Sequence, residues 1–197
     1  MQELTSPNRL YSRIEILDKN CPIPKSRGLY AWFFRLIPPL VPIENCIVKD
    51  GLTLLYAGIS PKDENSNENL RKRIRTHYNG NAEGSTLRLT LGVLLEKSSN
   101  HELRRVGSGK RMTFTHLGEQ WLDNWMQDNA YVCWLENNKP WEIERDIFKS
   151  FSLPLNIKDN DHHKFSKTLS KLRSKSKKNA REMPIANEDN LQRKMWN

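Results

Sequence analysis

Three apolar runs of strand length stand out along the chain: "GLYAWFF" (28–34), "LLYAGIS" (54–60) and "AYVCWLE" (130–136). Each is rich in aromatic and aliphatic residues and predicts a core strand. The prolines of "PPLVPIENC" force a loop after the first run, because proline cannot continue a central strand. "CIVKDGLTLLYAGIS" then contains Asp50-Gly51, a dipeptide favoured in tight antiparallel turns, so it predicts a hairpin that makes the two tyrosine runs neighbours in one sheet. From about Leu70 the period changes to that of a helix: Leu70, Ile74 and Tyr78 fall at i, i+4 and i+8, with Asn67 or Asn69 as the cap.

Residues 79–130 read as a turn, a helix with Leu87, Leu91, Leu94 and Leu95 on one face, a hairpin at "GSGK", and a helix carrying Leu117, Trp121, Leu122 and Trp125. "PWEIERDIFKSF" predicts a further helix with Pro140 in its first turn. "HHKFSKTLSKLRSKSKKNAR" keeps Phe165, Leu169 and Leu172 on one stripe, with cations over most of the rest, and predicts a basic amphipathic helix. Residues 1–26 hold three prolines and read as a lead-in. Residues 185–197 read as a disordered tail.

Charge sharpens this picture. The 197 residues carry a net charge of +9, with a pI near 9.5, which suggests a polyanionic partner. The distribution is uneven: between Lys158 and Arg181 there are nine Lys or Arg against Asp159 and Asp161 alone. Cys21, Cys46 and Cys133 are odd in number and fit neither a zinc spacing nor a disulfide framework, which points to a reducing, cytoplasmic setting. The most apolar stretch, around residues 28–43, is interrupted by Arg35 and three prolines, so no membrane span is expected.

One acid is out of pattern. On the helix from Pro140, Trp141, Ile147, Phe148 and Phe151 share a sector with Glu144, whereas Glu142, Arg145, Asp146 and Lys149 face solvent. A carboxylate on an apolar face is costly unless it is paired or holds a metal, and both readings stand at this point. His162 and His163 raise a zinc reading, but adjacent histidines cannot easily present both rings to one ion in regular structure. "GSGK" lacks the long glycine spacing and following helix of a nucleotide-phosphate loop.

Taken together, these pieces resemble the GIY-YIG nuclease superfamily. Gly28-Leu29-Tyr30 is similar to the first tripeptide of its name and Tyr56-Ala57-Gly58 to the second. A helix with an arginine in "LRKRI" follows, and then a helix whose glutamate precedes by twelve residues the asparagine of a "P-x-N" ending; Arg73, Glu144 and Asn156 fill that pattern. The stretch "GNAEGSTLRLTLGVLL" looks like that of stand-alone bacterial members. The resemblance implies an α+β fold, a small three-stranded antiparallel sheet flanked by helices, with an inserted helix-hairpin-helix segment. The domain would span 27–157 with the insertion at about 79–130, followed by a basic helical extension over 158–184.

The implied activity is hydrolysis of a nucleic-acid phosphodiester by water with one divalent cation, Mg²⁺, for which Mn²⁺ could substitute. By resemblance Glu144 is the metal ligand and Tyr30 the general base or water-orienting group, which needs nearby positive charge to favour phenolate. Tyr56 would bond the phosphate or the nucleophile, and Arg73 would stabilise charge on the phosphate. His77, matching a histidine of some restriction members, would relay a proton or bind phosphate, with a plain surface histidine as the alternative. Asn156 would position the metal-bearing region. Further contacts to the nucleic-acid backbone are expected from Arg104, Arg105, Lys110 and Arg111 at the hairpin and from Lys164, Lys167, Lys171, Arg173 and Lys175 on the basic helix. The partner expected is DNA, in restriction, genome defence or repair; cutting both strands would favour a dimer, though no element advertises an interface. The competing expectation is a binding module that has lost catalysis, and the joint presence of Tyr30, Tyr56, Arg73, Glu144 and Asn156 argues against it.

Overall fold

A computed structural model describes residues 2–188, apart from the side chains of Gln2 and Phe148, so the expected tail beyond Glu188 and the placement of the Phe148 ring lie outside the described residues. The chain begins with two short helices, α1 (Gln2–Thr5) and α2 (Arg13–Leu17). A four-stranded antiparallel sheet follows, built from β1 (Gly28–Phe34), β2 (Val48–Lys49), β3 (Leu52–Ser60) and β6 (Ala130–Glu136) in the order β2-β3-β1-β6. The sheet therefore has one strand more than the three expected. Its fourth member is the short outer arm of the hairpin: Asp50 and Gly51 both take positive φ, 50° and 75°, as a two-residue hairpin turn requires.

β1 is buried along its whole length because it is central and covered on both faces. Alternation divides its side chains. Tyr30, Trp32 and Phe34 join a cluster with Ile74 and Tyr78 of α3 (Leu70–Asn79), whereas Leu29, Ala31 and Phe33 join Leu4, Ile59 and Ile147 on the other face. The lead-in thus supplies core residues, with Leu4, Ile16 and Ile23 all buried. Asn69 caps α3, its side chain accepting the Lys72 N–H at 3.0 Å.

Between α3 and β6 run α4 (Thr86–Leu94), α5 (Glu96–Ser99), a hairpin of β4 (Arg104–Val106) and β5 (Arg111–Thr113), and α6 (Thr115–Asn129). Leu87, Leu91, Leu94 and Leu95 are buried as their spacing predicts, but Leu117 is 49 % exposed at the start of α6. A fully buried charge cluster fastens this segment to the rest. Arg88 donates twice to Glu119 Oε2 (2.9 and 2.7 Å) and once to Asp123 Oδ1 (2.9 Å), while Arg13 of α2 lies 3.4 Å from the other Asp123 oxygen. Two cations against two carboxylates leave the cluster neutral. Arg88 also donates to the carbonyls of His77 and Tyr78 at the end of α3.

After β6 come α7 (Pro140–Ser150) and α8 (Lys164–Glu182). The basic helix docks on the domain: Phe165 and Leu169 are buried and Leu172 packs against the same cluster. His163 caps its start, Nδ1 accepting the Phe165 N–H, and its C-terminal carbonyls at Ala180 and Met183 accept from Arg105. Residues 185–188 continue along the hairpin, with Ala186 N–H donating to Arg105 O at 2.8 Å.

Candidate active site

The sheet register brings the two tyrosines to one place. Tyr30 pairs with Gly58 and Trp32 with Tyr56 across β1 and β3, so both phenols rise from the same face on a diagonal, their ring centroids 6.5 Å apart. The glycine has a steric reason. A Cβ on Gly58 would sit 2.5 Å from the Tyr30 hydroxyl and 2.7 Å from its ring carbon; the Tyr30 ring lies directly over the bare backbone. Gly28 is constrained from the other neighbour, since a Cβ there would lie 2.2 Å from Leu135 O on β6.

Tyr30, Tyr56, Arg73, Glu144 and Asn156 line one cleft of about 300 Å³. Clefts of about 540 Å³ beside Tyr11 and Trp134 and beside His162 and His163 include none of them. Arg73 donates through Nε to Tyr30 Oη at 3.4 Å and through an Nη to Gly84 O at 3.2 Å. Tyr56 Oη is 3.3 Å from Thr86 Oγ1 of α4.

His77 is not a surface histidine. It is 0 % exposed and stands behind Tyr30, with Nε2 3.0 Å from the Tyr30 hydroxyl and Nδ1 2.7 Å from Ser85 Oγ. Burial, reinforced by the charges of Arg73 and Arg88, holds its pKa well below the usual range, so the ring is neutral near pH 7. Ser85 also caps α4 by accepting the Arg88 N–H, and the neutral His77 ring, with a single proton, links Ser85 Oγ to Tyr30 Oη, donating at one nitrogen and accepting at the other. Tyr30 Oη also accepts from Arg73. Burial raises the Tyr30 pKa far above that of a free phenol, with Tyr56 adding to the shift and Arg73 opposing it. Tyr30 is accordingly a neutral phenol in the free protein, and a protonated His77 is not available as the cation that would ionise it.

Glu144 comes from α7, whose Ile147 packs in the core beneath the opposite face. Its side chain is 17 % exposed, and its Oε2 lies 3.8 Å from Lys158 Nζ. Burial raises its pKa; Lys158 and Lys62 pull it down and Asp159 pushes it up. Among the described residues it is the one carboxylate lining the cleft. Among the described residues no group of three His, Cys, Asp or Glu gathers as a metal cage. A lone hard carboxylate nevertheless suits Mg²⁺, which keeps several waters and takes substrate phosphate oxygens as further ligands.

Asn156 spends its amide on the backbone: Oδ1 accepts the Ala57 N–H at 3.0 Å and Nδ2 donates to Ala57 O at 2.8 Å. Leu155 N–H donates to Leu55 O, so this segment zips onto β3 beyond the end of β2 and sets Lys158 beside Glu144.

A sequence model described as the GIY-YIG catalytic domain matches residues 28–175. The chain belongs to the GIY-YIG family. Membership implies a nuclease that hydrolyses phosphodiester bonds, and the tyrosines of the Gly28-Leu29-Tyr30 and Tyr56-Ala57-Gly58 tripeptides are those that the register brings together. The match runs through Lys175 and so takes in much of α8. No match was found among curated proteins or solved structures.

The remaining sequence-predicted residues are dispersed. Arg104 donates to Pro184 O and Arg105 to the α8 C-terminus, so their guanidinium groups are engaged within the protein. Lys110 and Arg111 are exposed at the hairpin, and Lys164, Lys167, Lys171 and Lys175 are exposed on α8. Arg173, by contrast, lines the cleft. Sequence reasoning missed Ser85, Thr86, Lys62 and Lys158 as members of the site. Ser85 carried a signal, an N-cap serine before an apolar helical run, but nothing local says that this cap faces His77.

Proposed function

We propose that the protein is a metal-dependent endonuclease acting on DNA. The observation that carries this reading is the convergence of Tyr30, Tyr56, Arg73 and Glu144 on one cleft. A Mg²⁺ ion on Glu144, or Mn²⁺ in its place, would supply Lewis-acid stabilisation of the phosphate. Arg73 neutralises charge on the phosphate oxygens, and its planar fork suits that task. Tyr30, held by His77 and Arg73, orients the attacking water; once charge in the filled cleft has lowered the phenol pKa and Tyr30 has released its own proton to solvent, the phenolate takes a proton from that water. Tyr56 hydrogen-bonds the phosphate from the adjacent position.

The exposed lysines of α8 support a nucleic-acid partner. Lys164, Lys167, Lys171, Lys175 and Lys178 are exposed and recur every three or four residues, which places them in one stripe along the helix. The stripe is about 21 Å long at 1.5 Å per residue, enough to follow a strand backbone. The three cysteines are free, which fits a reducing, cytoplasmic setting. Among the described residues no helix is long and apolar enough to cross a membrane.

The test is incubation with supercoiled plasmid, single-stranded DNA and RNA, with and without Mg²⁺. Glu144→Gln should abolish cleavage while DNA binding and the thermal melt stay near wild type. Glu142→Gln, on the exposed side of α7 where Glu142 meets Lys139 at 3.0 Å, should remain active. Tyr30→Phe should slow the chemical step roughly 10²- to 10⁴-fold. A protein that binds DNA but cuts none of the substrates with either metal would be the catalytically inactive binding module instead.

A further inference from the structure

Arg173 does not belong with the lysines around it. It follows Lys171 by two residues, about 200° round the helix at 3.6 residues per turn, and so faces away from the exposed stripe. It lines the cleft that holds Tyr56, Arg73 and Glu144. Its side chain is half-buried, and among the described residues it has neither a hydrogen-bond acceptor nor an ion-pair partner. Arg73 is held by Tyr30 and Gly84, and Lys158 lies between Glu144 and Asp159, while Lys62 is exposed to solvent. A partly desolvated guanidinium without a partner is costly unless an anion completes it. Among the described residues four cations, Lys62, Arg73, Lys158 and Arg173, meet a single carboxylate in this cleft, an excess of positive charge that suits an anionic ligand. The placement is rigid, because Leu169 and Leu172 pin α8 to the core and Arg105 holds its C-terminus.

We propose that Arg173 is a second phosphate-binding residue of this cleft, gripping phosphate oxygens of the bound strand on the Tyr56 wall while Arg73 serves the Tyr30 wall. The inference rests on the nuclease reading. It makes α8 part of the active site rather than only a basic surface, and gives the strand two guanidinium contacts across the reacting group.

Arg173→Gln keeps the aliphatic stem and removes the charge; Arg173→Lys keeps the charge and loses the fork. At saturating protein, the single-turnover rate on DNA should fall about 10²-fold in Arg173→Gln, with partial recovery in Arg173→Lys. Lys19→Gln, an exposed lysine after α2 outside the cleft lining, should leave that rate alone. A separate arm uses inorganic phosphate: it should raise the melting temperature of wild type and of Lys19→Gln by mass action, but not that of Arg173→Gln. An Arg173→Gln protein that is well folded, cuts at the wild-type single-turnover rate and is still stabilised by phosphate overturns the proposal. If wild type cuts no nucleic acid while phosphate protection depends on Arg173, the nuclease reading fails and the anion site stands.

Discussion

At the scale of single residues, the cleft is governed by what burial does to ionisation. Glu144 must be ionised to ligate a metal, yet desolvation raises its pKa. Activity should therefore be lost on acidification at a higher pH than an unburied carboxylate would dictate, since protonation removes the ligand. Lys158 favours the charged form, so Lys158→Ala should move this acid limb to higher pH; Asp159 disfavours it, so Asp159→Asn should move the limb lower. A pH–rate profile of kcat/KM for the three proteins checks both signs. Gly58 makes a different demand. Gly58→Ala puts a methyl into the Tyr30 ring, and overpacking of that kind costs about 1–3 kcal/mol. The ring has to shift from His77 and Arg73, so the cleavage rate should fall by more than the modest drop in melting temperature suggests. A variant with wild-type rate would show that the stacked geometry is not needed for chemistry.

At the scale of elements, much was legible because local pattern and tertiary role agree. The three long strands, the Asp50-Gly51 turn, the Asn69 cap and the apolar stripes of α3 and α4 all follow from period and turn chemistry. Glu144 could be picked from Glu142 because one face of α7 is apolar. What was not legible depends on contacts between distant elements. Arg105 looks like a phosphate contact until α8 ends above it, and Leu117 looks like a core position until the first turn of α6 turns Gly118 and Glu119 inward in its place. The short β2 adds a strand that the family resemblance does not specify. The role of α8 was legible in part: the stripe of Phe165, Leu169 and Leu172 marks the face that docks, and Leu169 is 0 % exposed, but nothing local says that Arg173 enters the cleft. Leu169→Ala should cost about 2–5 kcal/mol, and a chain ending before α8 should lose melting temperature and soluble yield rather than DNA affinity alone. Denaturant unfolding of the point variant, beside a melt of the shortened chain, measures this. A shortened chain with an unchanged melt would restore the view of α8 as a detachable arm.

At the scale of the whole molecule, charge is sorted into two populations. Outside, the α8 lysines carry the surplus that a polyanion would meet. Inside, Arg88, Arg13, Glu119 and Asp123 form a closed, neutral group that ties α2, α4 and α6 to the end of α3, where His77 supports Tyr30. Exposed charges are screened over about 10 Å at 0.1 M salt, while buried pairs are screened far less. Ionic strength should therefore act as a selective solvent. Each lysine contact to duplex phosphate adds about 0.9 to the slope of log affinity against log salt, so replacing Lys167, Lys171 and Lys175 with glutamine should flatten that slope, and binding isotherms at several salt concentrations read it. The melting temperature should meanwhile barely move between low salt and 1 M NaCl. Stripping the protein of adhering nucleic acid in concentrated brine, and returning it to low salt with its catalytic geometry intact, is then a matter of dialysis rather than refolding.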